Sequence, residues 1–191
     1  MKGEDRKDKT IKGAEIQPQS KQEEAGAKEA VKTIRLVVFN LGDEEFGVDI
    51  DQVKAIMRTI PITPIPDSPD FIKGVSNVRG EIAVMIDLRS RLFLPAKKEM
   101  ESKHIVMVEQ EKNLFGLIVG EVTGILGIPE TEIKTTLELV TGIDRVHISG
   151  VITYKDRLII VLDMTKMLSE KELAELSEIK SRHRTTSEQK P

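Results

Sequence analysis

Between residues 34 and 95, apolar and polar positions alternate over short segments, and this alternation predicts β-strands. A period of two places every second side chain on the same face of a strand. Two turns that contain glycine join four such segments into hairpins, with strands at 35–41 and 45–50 and at 71–78 and 81–87. The hydrophobic pattern therefore predicts an all-β unit built from hairpins.

The segment between the two hairpins is less regular. Its apolar positions are Val53, Ile56 and Met57, which are too few to decide between a short helix and a third strand. Residues 61–69 contain four prolines, which lack a backbone donor and so favour an extended connector over a paired strand. We therefore expect one short element here, followed by a connector.

A short helix is predicted at 88–94, where Pro95 ends it and Asp87 precedes it. Asp163 precedes a similar segment later in the chain. A pair of carboxylates can serve as general acid and base, but helix capping explains both positions. An Asp at the N-cap accepts hydrogen bonds from the first backbone N–H groups of a helix. We interpret both residues as caps.

The same series of elements occurs twice. At an offset of 69 residues, 35–39 falls on 104–108, and at an offset of 76 residues, 82–92 falls on 158–168. The larger second offset predicts one seven-residue insertion between 127 and 147. Because the apolar positions keep their register at both offsets, the pattern indicates an internal duplication.

Each repeat, approximately 34–95 and 103–168, holds five short segments of strand character. This is typical of a small β-barrel, since closure removes exposed sheet edges. Two barrels of this size, related by a pseudo-twofold axis, are expected to share a hydrophobic core and to be intertwined. The predicted fold class is therefore all-β, with two five-stranded barrels and short helices over 34–168.

Charge marks the ends of this unit. Residues 1–33 and 169–191 contain 25 of the 61 Lys, Arg, Asp and Glu residues, a composition too polar to bury a core. We expect a disordered N-terminal extension over 1–33, and a short helix followed by a disordered polar tail over 169–191. Ser169 is the candidate N-cap of that helix, whose apolar positions are Leu173, Leu176 and Ile179.

The composition argues against several functions. The net charge is −3 and the aromatic residues are five Phe and one Tyr, so neither a nucleic-acid binder nor a base-stacking platform is expected. There is no Cys, which excludes disulfides and thiolate metal sites. No segment resembles a signal peptide or approaches the roughly 18 apolar residues of a membrane span, so a soluble, cytoplasmic protein is predicted.

Catalytic motifs are missing from the sequence. His104, His147 and His183 do not follow metal-binding spacing, and GxxxxGK[ST], GxGxxG and GxSxG are all absent. We therefore predict a protein that is not an enzyme and that uses no metal or other cofactor. A duplicated β module without such residues is more naturally a binding protein.

The two repeats differ at one turn. The first repeat has 74-GVSNVRGEI-82 where the second has 150-GVITYKDRL-158, so Asn77 and Arg79 flank a glycine turn at Gly80 in the first repeat alone. An Arg guanidinium at such a turn suits carboxylates or backbone carbonyls. Arg79 is therefore a partner-binding residue, a structural bridge to the neighbouring barrel or a solvated hairpin charge, and the chemistry leaves these readings open.

Three segments carry a family resemblance: 38–53 (VFNLGDEEFGVDIDQV), 71–89 (FIKGVSNVRGEIAVMIDLR) and 158–168 (LIIVLDMTKML). They resemble CheW, the bacterial chemotaxis coupling protein, and the resemblance covers about 34–168. It implies two SH3-like β-barrels without catalytic activity of their own. It also implies a scaffold that bridges transmembrane chemoreceptors and the C-terminal CheW-like domain of the histidine kinase CheA, at the inner face of the membrane.

The resemblance further implies two binding surfaces. A groove between the barrels would take the cytoplasmic tip of the receptor, and the family's receptor-side positions fall on Val53, Gly74, Asn77, Arg79 and Gly80. The barrel ends would bind the kinase domain, with expected contacts at Ile56, Met57, Ile125 and Leu126. Two positions depart from the family, which often has an acidic residue and a proline where this chain has Ala55 and Val84.

Two other functions are compatible with these observations. One is a coupling protein of a non-flagellar chemosensory pathway, such as one that controls surface motility. The other is an unrelated duplicated β-barrel that binds a small ligand. Co-purification separates them, since a scaffold retains receptor tip and kinase whereas a small-ligand binder does not.

Overall fold

The computed structural model describes residues 32–95, 103–110, 113–135 and 143–187. Ten strands and two helices follow one another along these residues. The strands are β1 (Thr33–Leu41), β2 (Glu44–Asp49), β3 (Val53–Arg58), β4 (Ile72–Val78), β5 (Glu81–Asp87), β6 (His104–Gln110), β7 (Asn113–Val119), β8 (Val122–Pro129), β9 (Ile148–Tyr154) and β10 (Arg157–Leu162). The helices are α1 (Leu88–Arg91) and α2 (Glu170–Ser187).

The strands form two five-stranded sheets, and this confirms the predicted all-β class. Sheet 1 has the order β8-β1-β2-β10-β9, and sheet 2 has the order β3-β6-β7-β5-β4. Each sheet takes two strands from one repeat and three from the other, so the repeats are intertwined. The segment that contains Val53, Ile56 and Met57, which the sequence left undecided, is the edge strand β3 of sheet 2.

The duplication extends to the residue-by-residue pairing of the two sheets. In sheet 1 the β1–β8 register shifts between Val38 and Phe39. In sheet 2 the equivalent β3–β6 register shifts between Val53 and Ala55, opposite Val108 and Met107. Because the irregularities fall on equivalent residues, the strands of the two repeats are equivalent, as the offsets of 69 and 76 predicted.

A single bridge extends each sheet beyond its edge. Thr63 in the proline-rich connector after β3 bridges Val75 of β4, and Lys134 after β8 bridges Val151 of β9. Among the described residues these bridges bring the two edges of each sheet towards each other without completing a closed barrel. Thr63 and Lys134 are 71 positions apart. The seven residues that the second repeat has in addition to the first therefore do not form the single predicted insertion. Two of them lie before Lys134 and the remainder lie after it.

The two sheets pack against each other through a shared central core, as predicted. This central core contains buried residues of both sheets, including Val37, Phe39, Phe46, Val106, Val108 and Phe115. The opposite faces of the sheets form smaller clusters of their own. The sheet 1 cluster is built around Leu36, Val38, Ile128, Ile152, Ile159 and Val161. The sheet 2 cluster is built around Ala83, Met85, Ile105, Met107 and Ile118.

The C-terminal helix is longer than the short helix that the sequence predicts. It begins after a capping box, in which the Ser169 hydroxyl and backbone N–H both donate to Glu172 and the Glu172 backbone N–H donates to Ser169 Oγ. Leu173 and Leu176 are buried in the central core, so tertiary packing stabilises a segment of polar composition. The predicted disordered extension over 1–33 lies outside the described residues up to residue 31.

Among the described residues no helix has the length and apolar character needed to cross a membrane.

Candidate partner-binding site

The turn between β4 and β5 presents Arg79 at the surface. Arg79 has φ 53° and Gly80 has φ 90°, so two successive residues adopt the left-handed region. This backbone suits a two-residue hairpin, because its twist matches that of the flanking strands. The backbone N–H of Gly80 donates to Asn77 Oδ1 at 2.8 Å. Asn77 and Gly80 therefore hold the turn, and Arg79 is its exposed side chain.

Gly74 has a structural function within β4. It is buried with φ 138°, and a Cβ built at this position would overlap the Thr63 carbonyl oxygen and carbon. Thr63 exchanges two backbone hydrogen bonds with Val75, at 2.8 and 2.9 Å. Only glycine allows the proline-rich connector to approach β4 so closely.

Val53 lies on a different strand of sheet 2 from this turn. It begins β3 at the opposite edge of sheet 2, pairs with Val108 and packs half-buried against the central core. The structure therefore unites Asn77, Arg79 and Gly80 in one turn, places Gly74 further along the same strand and puts Val53 on another strand.

A cavity of about 320 Å³ lies beside Arg79, at the end of sheet 2 where the β4–β5 turn meets the start of β7. Its lining combines an apolar group with charged residues: Ala55, Met57, Val78, Met107 and Leu114, with Lys54, Arg79, Glu81 and Glu109. It contains one predicted receptor-side residue, Arg79, and one predicted kinase-side residue, Met57. No local motif marks Met107, Leu114 or Glu109, which only the fold brings to this end.

Three of the four charged lining residues have a charged counterpart. Lys54 Nζ lies 2.7 Å from Glu109 Oε2. Glu81 interacts electrostatically with Lys180 of α2, whose Nζ donates to the Leu114 carbonyl at 2.9 Å. Burial lowers the pKa of Lys180 from its ordinary value, and the negative charge of Glu81 acts in the opposite direction.

Arg79 is the exception. Within the described ranges, no residue accepts a hydrogen bond from its guanidinium or forms an ion pair with it. The hypothesis that Arg79 bridges to backbone carbonyls of the neighbouring barrel is therefore not supported by the contacts of these residues.

The four predicted kinase-side residues do not form one surface. Ile56 and Ile125 are equivalent residues on the edge strands β3 and β8, and they are 42% and 61% exposed. Their neighbours Met57 and Leu126 are half-buried. Met57 packs against the sheet 2 cluster, and Leu126 packs against the sheet 1 cluster. Successive side chains of a strand point to opposite faces, so each pair supplies one exposed apolar residue and one interior residue.

The two candidate catalytic carboxylates are caps, as predicted. Asp87 Oδ1 accepts from the backbone N–H groups of Arg89 and Ser90, at 3.1 and 3.3 Å. Asp163 Oδ1 accepts from the Thr165 backbone N–H at 3.1 Å. Burial raises the pKa of Asp163, but the hydrogen bonds from Thr165 and Lys166 outweigh burial and leave that pKa below its ordinary value.

Two histidines make contacts with backbone carbonyls. His147 is buried, and its Nδ1 lies 2.9 Å from the Lys166 carbonyl oxygen. His104 begins β6, and its Nδ1 lies 3.3 Å from the Gly120 carbonyl oxygen. The described part of the chain contains no group of three or more His, Cys, Asp or Glu residues arranged to hold a metal ion.

Comparison with known proteins places this architecture in a family. Residues 35–172 match the family model of the CheW-like domain. The chemotaxis protein CheW of Treponema pallidum is 32% identical over 149 residues, which cover 76% of this chain and 88% of that protein. CheW of Klebsiella aerogenes is 30% identical over 147 residues, which cover 77% of this chain and 89% of that protein. The chain therefore belongs to the CheW-like family.

A solved structure shows the same fold. The crystal structure of the scaffolding protein TtCheW from Thermoanaerobacter tengcongensis superposes with a TM-score of 0.67 at 31% sequence identity. The match covers 74% of this chain and 92% of the other. The family resemblance of the three sequence segments is thus confirmed by the family model, by curated relatives and by a structure.

Proposed function

We propose that this protein is a non-catalytic coupling protein of a chemotaxis pathway, which links transmembrane chemoreceptors to the histidine kinase CheA in signalling arrays. The observation that carries the proposal is the Asn77–Gly80 turn within a CheW-like fold, which presents beside a cavity an Arg79 that pairs with no described residue. Receptor binding would recruit the protein from the cytoplasm to the inner face of the membrane.

The receptor-side function is assigned to the β4–β5 turn and its surroundings. The left-handed backbone of Arg79 and Gly80 and the Asn77 bond fix the direction of the turn before any partner binds. A preformed turn reduces the conformational entropy that binding must overcome. Among the five receptor-side positions, Arg79 is the expected direct contact, and Gly74, Asn77 and Gly80 support it.

The kinase-side function is assigned to the exposed apolar residues of the two edge strands. Ile56 and Ile125 are among the few large apolar side chains that are substantially exposed in the described ranges. A few apolar anchors carry most of the affinity of a typical protein interface. Their equivalent positions would give the protein two similar docking ends, one on each sheet, for the CheW-like domain of the kinase.

A pull-down with the full chain tests the proposal. Wild-type protein should retain both a cytoplasmic receptor fragment and the C-terminal domain of the kinase. Arg79→Ala should weaken receptor binding at least about tenfold, a loss of roughly 1.4 kcal/mol, with kinase binding unchanged. Ile56→Glu and Ile125→Glu should have the opposite selectivity. Lys155→Ala, at the equivalent turn of the other repeat, should change neither affinity.

Two results would contradict the proposal. If neither the receptor fragment nor the kinase domain is retained, the coupling function is wrong, and a co-purifying small molecule would then favour a ligand-binding barrel. If both are retained only with partners from a surface-motility pathway, the protein couples that pathway instead of flagellar chemotaxis.

A further inference from the structure

The pseudo-twofold symmetry permits a direct comparison of the two sheets at the end that carries the cavity. In sheet 1 the position equivalent to Val78 is Tyr154, which packs against the sheet 1 cluster. The positions equivalent to Glu81 and Leu114 are Arg157 and Glu45. Arg157 Nη1 lies 2.9 Å from Glu45 Oε1, and the Glu45 side chain is only 15% exposed. This end of sheet 1 is therefore occupied by the protein's own side chains.

Sheet 2 has smaller or apolar residues at the same positions. Val78 is shorter than Tyr154, and Leu114 cannot pair with Glu81 as Glu45 pairs with Arg157. The resulting cavity has a volume of about 320 Å³ and an apolar floor that includes Ala55, Met57 and Met107. An apolar cavity of about 150 Å³ accepts a benzene molecule, so this one is large enough for an aliphatic or aromatic side chain.

The charges around the cavity indicate what else the occupant must carry. Lys54 is paired with Glu109, and Glu81 interacts electrostatically with Lys180. The positive charge of Arg79 is the one that no described residue of the lining balances. A guanidinium binds a carboxylate through two parallel hydrogen bonds, which makes an acidic group the complementary ligand.

We propose that this cavity receives one apolar side chain of the receptor's cytoplasmic hairpin, and that Arg79 binds a carboxylate next to that side chain. The inference rests on the proposed receptor coupling and specifies its chemistry. Met57 and Met107 suit such a pocket, because unbranched thioether side chains adapt to apolar groups of different shape. Sheet 1 differs at the equivalent positions, where Tyr154 packs against the sheet 1 cluster and Arg157 pairs with Glu45.

A double-mutant cycle with a receptor hairpin fragment is the first test. Each Asp and Glu of the fragment is changed to Asn or Gln and measured against wild-type protein, Arg79→Ala and the control Lys155→Ala. One substitution should weaken binding to wild type about tenfold and have almost no further effect on Arg79→Ala. If the loss of binding free energy from every acidic-residue substitution simply adds to the loss from Arg79→Ala, the carboxylate assignment is wrong.

A second test does not require a receptor. The probes are 4-methylpentanoate and 4-methylpentan-1-ol, titrated into full-length protein with ¹³C-labelled methionine methyl groups. Met57 and Met107 line the cavity, whereas Met164 and Met167 are buried in the central core and serve as internal controls. The carboxylate should shift the Met57 and Met107 signals and bind about tenfold more tightly than the alcohol. Arg79→Ala should abolish this preference, and Lys155→Ala should retain it.

The two tests separate the inference from the proposed function. If wild-type protein does not bind the receptor fragment but shows the carboxylate preference, the receptor assignment fails and the cavity chemistry stands. If neither probe shifts the Met57 or Met107 signals, or if both probes bind equally, the cavity proposal is overturned. This holds whether or not the protein binds the receptor fragment.

Discussion

Sheets 1 and 2 have equivalent strand arrangements, but their side chains differ at one end. Their strand orders, register shifts and single bridges correspond position by position. At the compared end, Tyr154 and the Arg157–Glu45 pair occupy sheet 1, and sheet 2 retains a cavity beside Arg79. The backbone pattern of a duplicated fold can therefore persist while a few side chains give the equivalent ends of its two copies different surfaces.

The C-terminal helix adds a second asymmetry. Helix α2 contacts sheet 2 through Lys180, which donates to the Leu114 carbonyl and lies 4.9 Å from the centre of the Phe115 ring. Leu114 lines the cavity, so the helix supports one of the cavity walls. In the first repeat, the described residues 92–95 that follow α1 form no comparable helix.

The largest expected effect concerns the two equivalent glycines of β4 and β9. Gly74→Ala should destabilise the fold by about 4 kcal/mol, because the new Cβ meets backbone atoms and the positive φ is unfavourable for alanine. Gly150→Ala should cost less, about 1–3 kcal/mol, because Gly150 has no positive φ and only crowding by the Ile133 side chain and the Lys134 carbonyl oxygen opposes its Cβ. Urea unfolding measures both. Equal losses would show that the backbone conformation of Gly74 contributes nothing.

Removing an anchor of α2 should have the next largest effect. Leu176 is 4% exposed, so Leu176→Ala should destabilise the protein by about 2–4 kcal/mol by leaving a cavity in the central core. Glu175→Ala is the neighbouring control, because Glu175 is exposed and its ion pair with Lys171 is at the surface. Thermal unfolding compares the two variants. A small loss for Leu176→Ala would mean that α2 is only loosely attached to the sheets.

Exchanging the residues at positions 78 and 154 tests whether these side chains cause the difference between the two sheets. Tyr154→Val should cost about 2 kcal/mol, because it removes buried aromatic surface from the sheet 1 cluster. Val78→Tyr should change stability by less than about 1 kcal/mol, since the cavity provides room for the larger ring. Val78→Tyr should also abolish binding of 4-methylpentanoate. A Val78→Tyr variant that unfolds readily would show that sheet 2 cannot accept the side chain that sheet 1 contains.

The smallest effect concerns the cap at Asp163. Its pKa in the folded protein is below the ordinary value of 3.8, so the ionised carboxylate stabilises the fold at neutral pH. That contribution is present above the unfolded pKa and is lost as the pH falls through the folded pKa. Asp163→Asn should therefore cost about 1 kcal/mol at pH 7, and this cost should decrease as the pH falls below 3.8. A cost independent of pH would show that ionisation of Asp163 does not stabilise the cap.

Much of the fold could be predicted because it depends on local pattern. Alternating apolar residues predicted the hairpins, Asp87 and Asp163 predicted the caps, and the two offsets predicted the equivalent strands of the repeats. The extent of α2 could not be predicted from its polar composition. Its stability comes from Leu173 and Leu176 in a core that other strands build. The division of the insertion near Lys134 likewise depends on a bridge to a distant strand.

The candidate site was predictable only in part. The β4–β5 turn could be predicted from the sequence alone, because Gly80 tolerates a positive φ and Asn77 can accept a hydrogen bond within the turn, and comparison with Lys155 distinguished Arg79. The fold was needed to show that no described residue pairs with Arg79, and that Ala55, Met57, Met107 and Leu114 meet beside it. These residues come from strands of both repeats. Their proximity results from the pairing of distant segments, which no local spacing encodes.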